Sequence, residues 1–158
     1  MYAAGVYDVD ATHASPCYWI TDSEGPTKQD LPIDTPSGIA MSIYVSEGTV
    51  YTGGYEINVA TQKPCFWTGT TRTDLTEGID NNGWVYSIFV SNGTVYMGGN
   101  YMDASNISIP CYWANTSKQD LPGPASDYAY VRSIYVSGGT VYSGGWINNG
   151  SLQIRCYW

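Results

Sequence analysis

The sequence predicts an all-β fold made from one repeated four-stranded antiparallel unit, the blade of a β-propeller, and three observations predict it. First, the segment Ser42–Gly54 recurs as Ser87–Gly99 and again as Ser133–Gly145, at spacings of 45 and 46 residues. Second, Val, Ile, Tyr, Trp and Thr dominate these segments, and no stretch has the 3.6-residue period of a helix. Third, each segment is split at a constant place by a two-residue turn, Glu47-Gly48, Asn92-Gly93 or Gly138-Gly139. A period of this length identifies a repeat architecture before any local reading does.

Each unit of about 46 residues reads as four strands, A to D, and the chain holds roughly three and a half units. Strand A is Ser-Ile-Tyr-Val-Ser, and strand B is Thr-Val-Tyr running into Gly-Gly. The turn between them supplies the positive φ angles of a tight hairpin, so A and B are antiparallel neighbours. Strand C is Cys-aromatic-Trp, found at Cys17–Trp19, Cys65–Trp67, Cys111–Trp113 and Cys156–Trp158. Strand D is the polar stretch that ends in Asp-Leu at Asp30-Leu31, Asp74-Leu75 and Asp120-Leu121.

Strands A to C carry apolar or aromatic residues on both faces, which predicts sheets covered on both sides. Such units at this period describe propeller blades better than the shorter coils of a β-solenoid, or a sandwich, which needs no repeat. The expected organisation is a single propeller or partial propeller over 1–158. Its units are approximately 1–41 (lacking A), 42–86, 87–132 and 133–158 (lacking D). Incomplete end units leave an aromatic blade face open, so self-association is expected.

Composition narrows the partners. Fourteen acids against six bases give a net charge of −8, with no basic stripe to neutralise a phosphate backbone, so nucleic acid is not expected. No run of about twenty apolar residues could span a bilayer as a helix. Residues 1–10 lack the basic and apolar regions of a secretion signal.

The blocks Cys111–Trp113, Asp120–Pro122 and Ser133–Tyr142 resemble the highly repetitive β-propeller-like arrays of uncharacterised bacterial surface proteins, and the likeness runs over nearly the whole chain. The resemblance implies the fold and an extracellular or cell-surface location. It transfers no activity and no site.

In a meander A to D, the B–C and D–A loops share one end of the unit, and these are the loops that vary. An aromatic stands at the start of each B–C loop with an acid or amide close behind: Tyr7 with Asp8, Tyr55 with Glu56 and Asn58, Tyr101 with Asp103, Trp146 with Asn148. The D–A loops add Asp80, Trp84 and Asp127. A flat ring beside hydrogen-bonding groups suits a sugar, whose C–H face stacks while its hydroxyls bond. These residues are the candidate ligand site, for a carbohydrate or a surface protein. The plainer reading is that the rings cap the blades and the polar groups face water.

No enzyme, metal or cofactor is expected. His13 is the only histidine and lacks the companions of a triad. No spacing selects a catalytic pair from Asp8, Asp10, Glu56, Asp80 and Asp103. Trp84 breaks the alternation of a calcium loop at Asp80–Gly83. The four Cys hold equivalent positions in units about 10 Å apart, too far for a disulfide, so they are expected as buried thiols, not as a zinc site. The sequons at Asn92, Asn106, Asn115 and Asn149 matter only in a host that glycosylates them.

Overall fold

The computed structural model describes residues 1–10, 12–79, 81–123 and 128–158. Within them the chain forms fourteen strands and no helix, in four antiparallel sheets. Sheet 1 is β1 (Tyr2–Asp8), β2 (Ala14–Asp22) and β3 (Gly25–Asp30). Sheet 2 is β4 (Ser37–Ser46), β5 (Thr49–Ile57), β6 (Gln62–Thr68) and β7 (Thr71–Asp74). Sheet 3 is β8 (Gly83–Ser91), β9 (Thr94–Met102), β10 (Ser108–Ala114) and β11 (Ser117–Asp120). Sheet 4 is β12 (Ala129–Ser137), β13 (Thr140–Asn149) and β14 (Leu152–Tyr157). Every sheet is a meander in chain order, as the repeat predicts. Both residues of each A–B turn have positive φ, between 49° and 79°, which is why Gly and Asn recur there.

Strand A is longer than the sequence reading. β4, β8 and β12 begin at Ser37, Gly83 and Ala129, several residues before the Ser-Ile-Tyr-Val-Ser block, and each passes through a β-bulge at Met41, Tyr86 or Arg132. That bulge explains the second glycine of every Gly-Gly. It drives a strand-A carbonyl toward strand B, so that a Cβ on Gly54, Gly99 or Gly145 would lie 2.0, 1.9 or 1.8 Å from the oxygen of Ile39, Trp84 or Tyr130. No side chain fits there.

The first glycine has a different cause, the neighbouring sheet. A Cβ on Gly53 would meet Val85 Cγ1 at 2.7 Å, and one on Gly98 would meet Val131 Cγ1 at 2.7 Å. Strand A of sheets 3 and 4 therefore presses a valine into the strand-B glycine of the sheet before it. In sheet 1 that glycine is Ala4, and the valine position of sheet 2 is Ala40; Ala4 packs against the cluster that holds Ala40. Here a larger residue stands for the glycine and a smaller one for the valine.

Successive sheets pack face on face through two apolar clusters. Tyr18 and Leu31 of sheet 1 join Ala40, Val50, Cys65 and Trp67 of sheet 2. Phe66 and Leu75 of sheet 2 join Val85, Ile88, Val90, Val95, Met97, Cys111 and Trp113 of sheet 3. Within Cys-aromatic-Trp, the middle ring thus faces the following sheet, while Cys and Trp face the preceding one. Each such aromatic or aliphatic burial is worth roughly 1.5–3 kcal/mol.

Hydrogen bonds repeat across the joints as well. Ile88 N donates to Ser42 Oγ and Ile134 N to Ser87 Oγ, both at 3.1 Å, so a serine in one strand A accepts from the backbone of the next. Trp67 Nε1 donates to Pro32 O at 2.8 Å, and Trp158 Nε1 to Pro122 O at 2.7 Å. Trp113 stands at the same position, but the residue after its Asp-Leu is Thr76, whose carbonyl accepts from Ile79 N; Trp113 Nε1 is buried without an acceptor among the described residues. A ladder of rings, Tyr44, Phe89 and Tyr135, links the three A strands at centroid distances of 4.8 and 4.9 Å.

Candidate functional site

The B–C and D–A loops do lie together. Ser37 Oγ accepts from Ala14 N at 3.0 Å, Asn82 Oδ1 from Gln62 N at 2.7 Å, and Asn82 O from Met102 N at 2.7 Å. Asn81 Nδ2 donates to Asp103 O at 2.8 Å. Asn81 and Asn82 therefore fasten the start of β6 to the end of β9.

Two of the four aromatic-and-acid pairs expected at this end, Tyr7 with Asp8 and Tyr55 with Glu56, are divided between the two faces of a sheet. Tyr7, Tyr55, Glu56, Trp84, Tyr101, Trp146 and Asn148 are strand residues, not loop residues, and Asp8 closes β1. Consecutive strand residues point to opposite faces, so Tyr7 and Asp8, or Tyr55 and Glu56, separate. Pairing with strand C also shows that the four aromatics are not equivalent. Gly5, Gly54, Gly99 and Gly145 all stand opposite the strand-C Cys, which puts Tyr7, Glu56, Tyr101 and Ile147 in one position and Val6, Tyr55, Asn100 and Trp146 in the one before it.

The first of these positions is the centre of a charged cluster in three sheets. Strand D places a cation opposite each strand-C Trp: Lys28, Arg72 and Lys118. Lys28 Nζ sits 3.3 Å from the centroid of the Tyr7 ring, and Lys118 Nζ sits 3.6 Å from that of Tyr101. In sheet 2 the platform is Glu56, buried and ion-paired with Arg72, which also reaches Asp34 at 2.6 Å. The Asp of the Asp-Leu block completes each cluster, with Lys28–Asp30 and Lys118–Asp120 at 2.9 Å and Arg72–Asp74 at 3.2 Å. Tyr101 Oη donates to Asp120 Oδ2 at 3.1 Å. The Tyr7 and Tyr101 faces are thus occupied by ammonium groups. These cations were missed from sequence, although Lys-x-Asp, Arg-x-Asp and Lys-x-Asp stand in register before each Leu.

The other candidates also serve the fold. Trp146 packs on Tyr130 at 4.4 Å, and Tyr130 stacks with Tyr128 at 6.5 Å. Burial pushes the Tyr55 hydroxyl up. Trp84 Nε1 donates to Gln62 Oε1 at 2.7 Å. Asp103 Oδ1 caps its own turn, accepting from Ser105 N and Ile107 N at 2.8 Å each; Asn58 Oδ1 accepts from Val59 N at 2.8 Å. Asn148 N donates to Tyr128 O at 2.7 Å. Asp80 and Asp127 lie outside the described residues.

Asp8 stands at the loop end, beside the turn that follows β1. It lines a cleft of about 300 Å³ with Asp10, Thr12, His13, Ala14, Ser37 and Ile57. Hydrogen bonds from Thr12 and then His13 hold the Asp10 carboxyl well below the usual carboxylate range, and His13 Nδ1 lies 2.7 Å from Asp10 Oδ2. A second cleft of about 210 Å³ runs along residues 57–62 and Asn82. Among the described residues no three His, Cys, Asp or Glu side chains gather as a metal site. All four cysteines are free thiols, and burial pushes Cys65 and Cys111 well above the ordinary range.

A different surface stands out once the joints are compared. The face of sheet 4 turned away from sheet 3 carries Tyr135, Tyr142, Gly144 and Tyr157, and the equivalent residues of sheets 2 and 3 are buried or part-buried against the sheets that follow. Tyr157 is 85% exposed, whereas Phe66 at the same place in sheet 2 is 6% exposed. A Cβ on Gly144 would meet nothing within 4 Å. Comparison with protein-family models and with curated proteins finds no match to this chain.

Proposed function

We propose that the chain is a non-enzymatic binding module whose sheets are blades of a β-propeller, and whose principal partner is another unit of its own repeat, supplied by a second copy. The observation that carries this reading is the contrast at one position of one motif, Phe66 buried and Tyr157 bare. An exposed aromatic face of this kind marks an association surface. Gly144 is an open socket of the type that Val85 and Val131 fill at the interior joints. Sedimentation or light scattering over a concentration series tests the proposal. Mass rises with concentration in the parent chain, while Tyr157→Asp stays a monomer with unchanged circular dichroism. A parent chain that remains strictly monomeric at high concentration overturns it.

A second reading places a carbohydrate or a surface-protein ligand at the loop end, in an extracellular or cell-surface setting. The two clefts that open among the variable loops favour it. A glycan array followed by tryptophan-fluorescence titration tests it. Binding that weakens in Asp8→Ala and Asn58→Ala supports this site, and binding indifferent to both removes it.

A further inference from the structure

The outer edges of β2, β6 and β10 each carry a D strand, and the three pairings are the same. Cys17, Cys65 and Cys111 face Asp30, Asp74 and Asp120; Trp19, Trp67 and Trp113 face Lys28, Arg72 and Lys118. At the end of each D strand, the amide of Leu31, Leu75 or Leu121 donates to the carbonyl of Pro16, Pro64 or Pro110 at 3.0, 3.0 and 2.8 Å. β14 has the same Cys-Tyr-Trp sequence, yet among the described residues it pairs with β13 alone.

The direction of its free backbone groups is fixed. Trp158 exchanges both main-chain hydrogen bonds with Ser143, at 2.8 and 3.0 Å, so the main chain of Trp158 turns toward β13. Antiparallel pairing alternates, so the N–H and C=O groups of Tyr157 and Arg155 point outward. Both residues are exposed. Arg155 stands where the other three sheets have proline, and it keeps the carbonyl that accepts the leucine amide there. A row of unpaired, outward backbone groups is a template for strand addition.

We propose that the outer edge of β14 is a strand-binding site for an extended Lys-Gln-Asp-Leu-Pro segment, the sequence found at 28–32 and again at 118–122. The segment is a further copy of that sequence, because the two within residues 1–158 are already paired with β2 and β10. It lies antiparallel, with Lys opposite Trp158, Gln opposite Tyr157 and Asp opposite Cys156, and its Leu amide bonds to the Arg155 carbonyl. This deepens the reading that the repeat associates with its own kind, but uses a sheet edge where that reading uses a sheet face. One element of the internal joints is missing. Ile147 occupies the place of Tyr7 and Tyr101, so the incoming lysine lacks an aromatic platform.

The test is a titration of a synthetic peptide with the sequence of residues 114–122 into the full chain, isotopically labelled and dilute enough to be monomeric. The expected result is saturable shifts and slowed hydrogen exchange at the Arg155 and Tyr157 amides. A scrambled peptide of the same composition produces neither. Ile147→Tyr restores the platform and tightens binding about 2–5-fold, the range of a partly exposed cation–π contact. No change at β14, or equal changes with the scrambled peptide, overturns the proposal. Peptide binding by a chain that never self-associates supports the edge and removes the face; self-association without peptide binding does the reverse.

Discussion

The joint between sheets 2 and 3 and the outer face of sheet 4 are built from the same motif and differ in one respect, whether another sheet follows. At the joint, Phe66 is buried, Gly53 receives Val85, and Ser42 accepts from Ile88 N. On the outer face Tyr157, Gly144 and Ser133 hold the corresponding places with nothing seated on them. Residues that look interchangeable in the sequence therefore have unequal energetic weight. The comparison also separates two kinds of glycine, one constrained by its own sheet and one by its neighbour.

That separation gives the largest expected effect. Gly99→Ala and Gly145→Ala both collide with a bulge carbonyl of their own sheet, so each loses at least about 4 kcal/mol or fails to fold, although one is interior and the other terminal. Chemical denaturation measures it, and a tolerated Gly145→Ala would show that the bulge yields. Next comes the aromatic: Phe66→Ala costs about 3–5 kcal/mol, while Tyr157→Ala in the monomer changes stability by no more than about 0.5 kcal/mol.

The neighbour-constrained glycines give a smaller difference. Gly98→Ala forces Val131 and Ile134 to shift and costs about 1–3 kcal/mol, whereas Gly144→Ala is neutral or slightly stabilising. Equal effects would mean that the joint is softer than its contacts. Ser87→Ala should cost about 1–2 kcal/mol by leaving Ile134 N without its acceptor, against no measurable change for Ser133→Ala in the monomer.

The smallest effect is one of pH and again belongs to a joint. Burial pushes Tyr86, with Arg132 set 4.1 Å over its ring, up to about 12 from an ordinary value of 10.0. The folded chain therefore holds this proton more tightly than the unfolded chain. The stability it represents is complete below pH 10 and declines as pH rises from 10 through 12. Partial exposure keeps the loss small, and Tyr86→Phe should flatten the alkaline limb of a denaturation series.

Much of this was legible in the chain itself. The repeat period, the A–B turns and the order of strands follow from local chemistry, because Asn-Gly and Gly-Gly set positive φ and Val, Ile and Tyr suit a pleated surface. The candidate site was less legible. Tyr7 and Tyr101 stand two residues after their Gly, while Tyr55 and Trp146 stand one residue after it, and a step of one reverses the face. Grouping all four as one series joined rings from opposite sides of the sheet. The Lys28, Arg72 and Lys118 series was readable from its spacing to Asp-Leu, but its meaning depends on what strand B presents across the sheet.

The sequence by itself determined that short strands would form, where they would turn and in what order they would pair. Only the tertiary structure decided which face each side chain would take, which glycine would answer to which neighbour, and which copy of each motif would stay uncovered. The physical reason is that turns and strand preferences act over a few residues. The side chain of a strand has a period of two, and a single bulge residue, Met41, Tyr86 or Arg132, resets it in a way that only pairing between strands reveals.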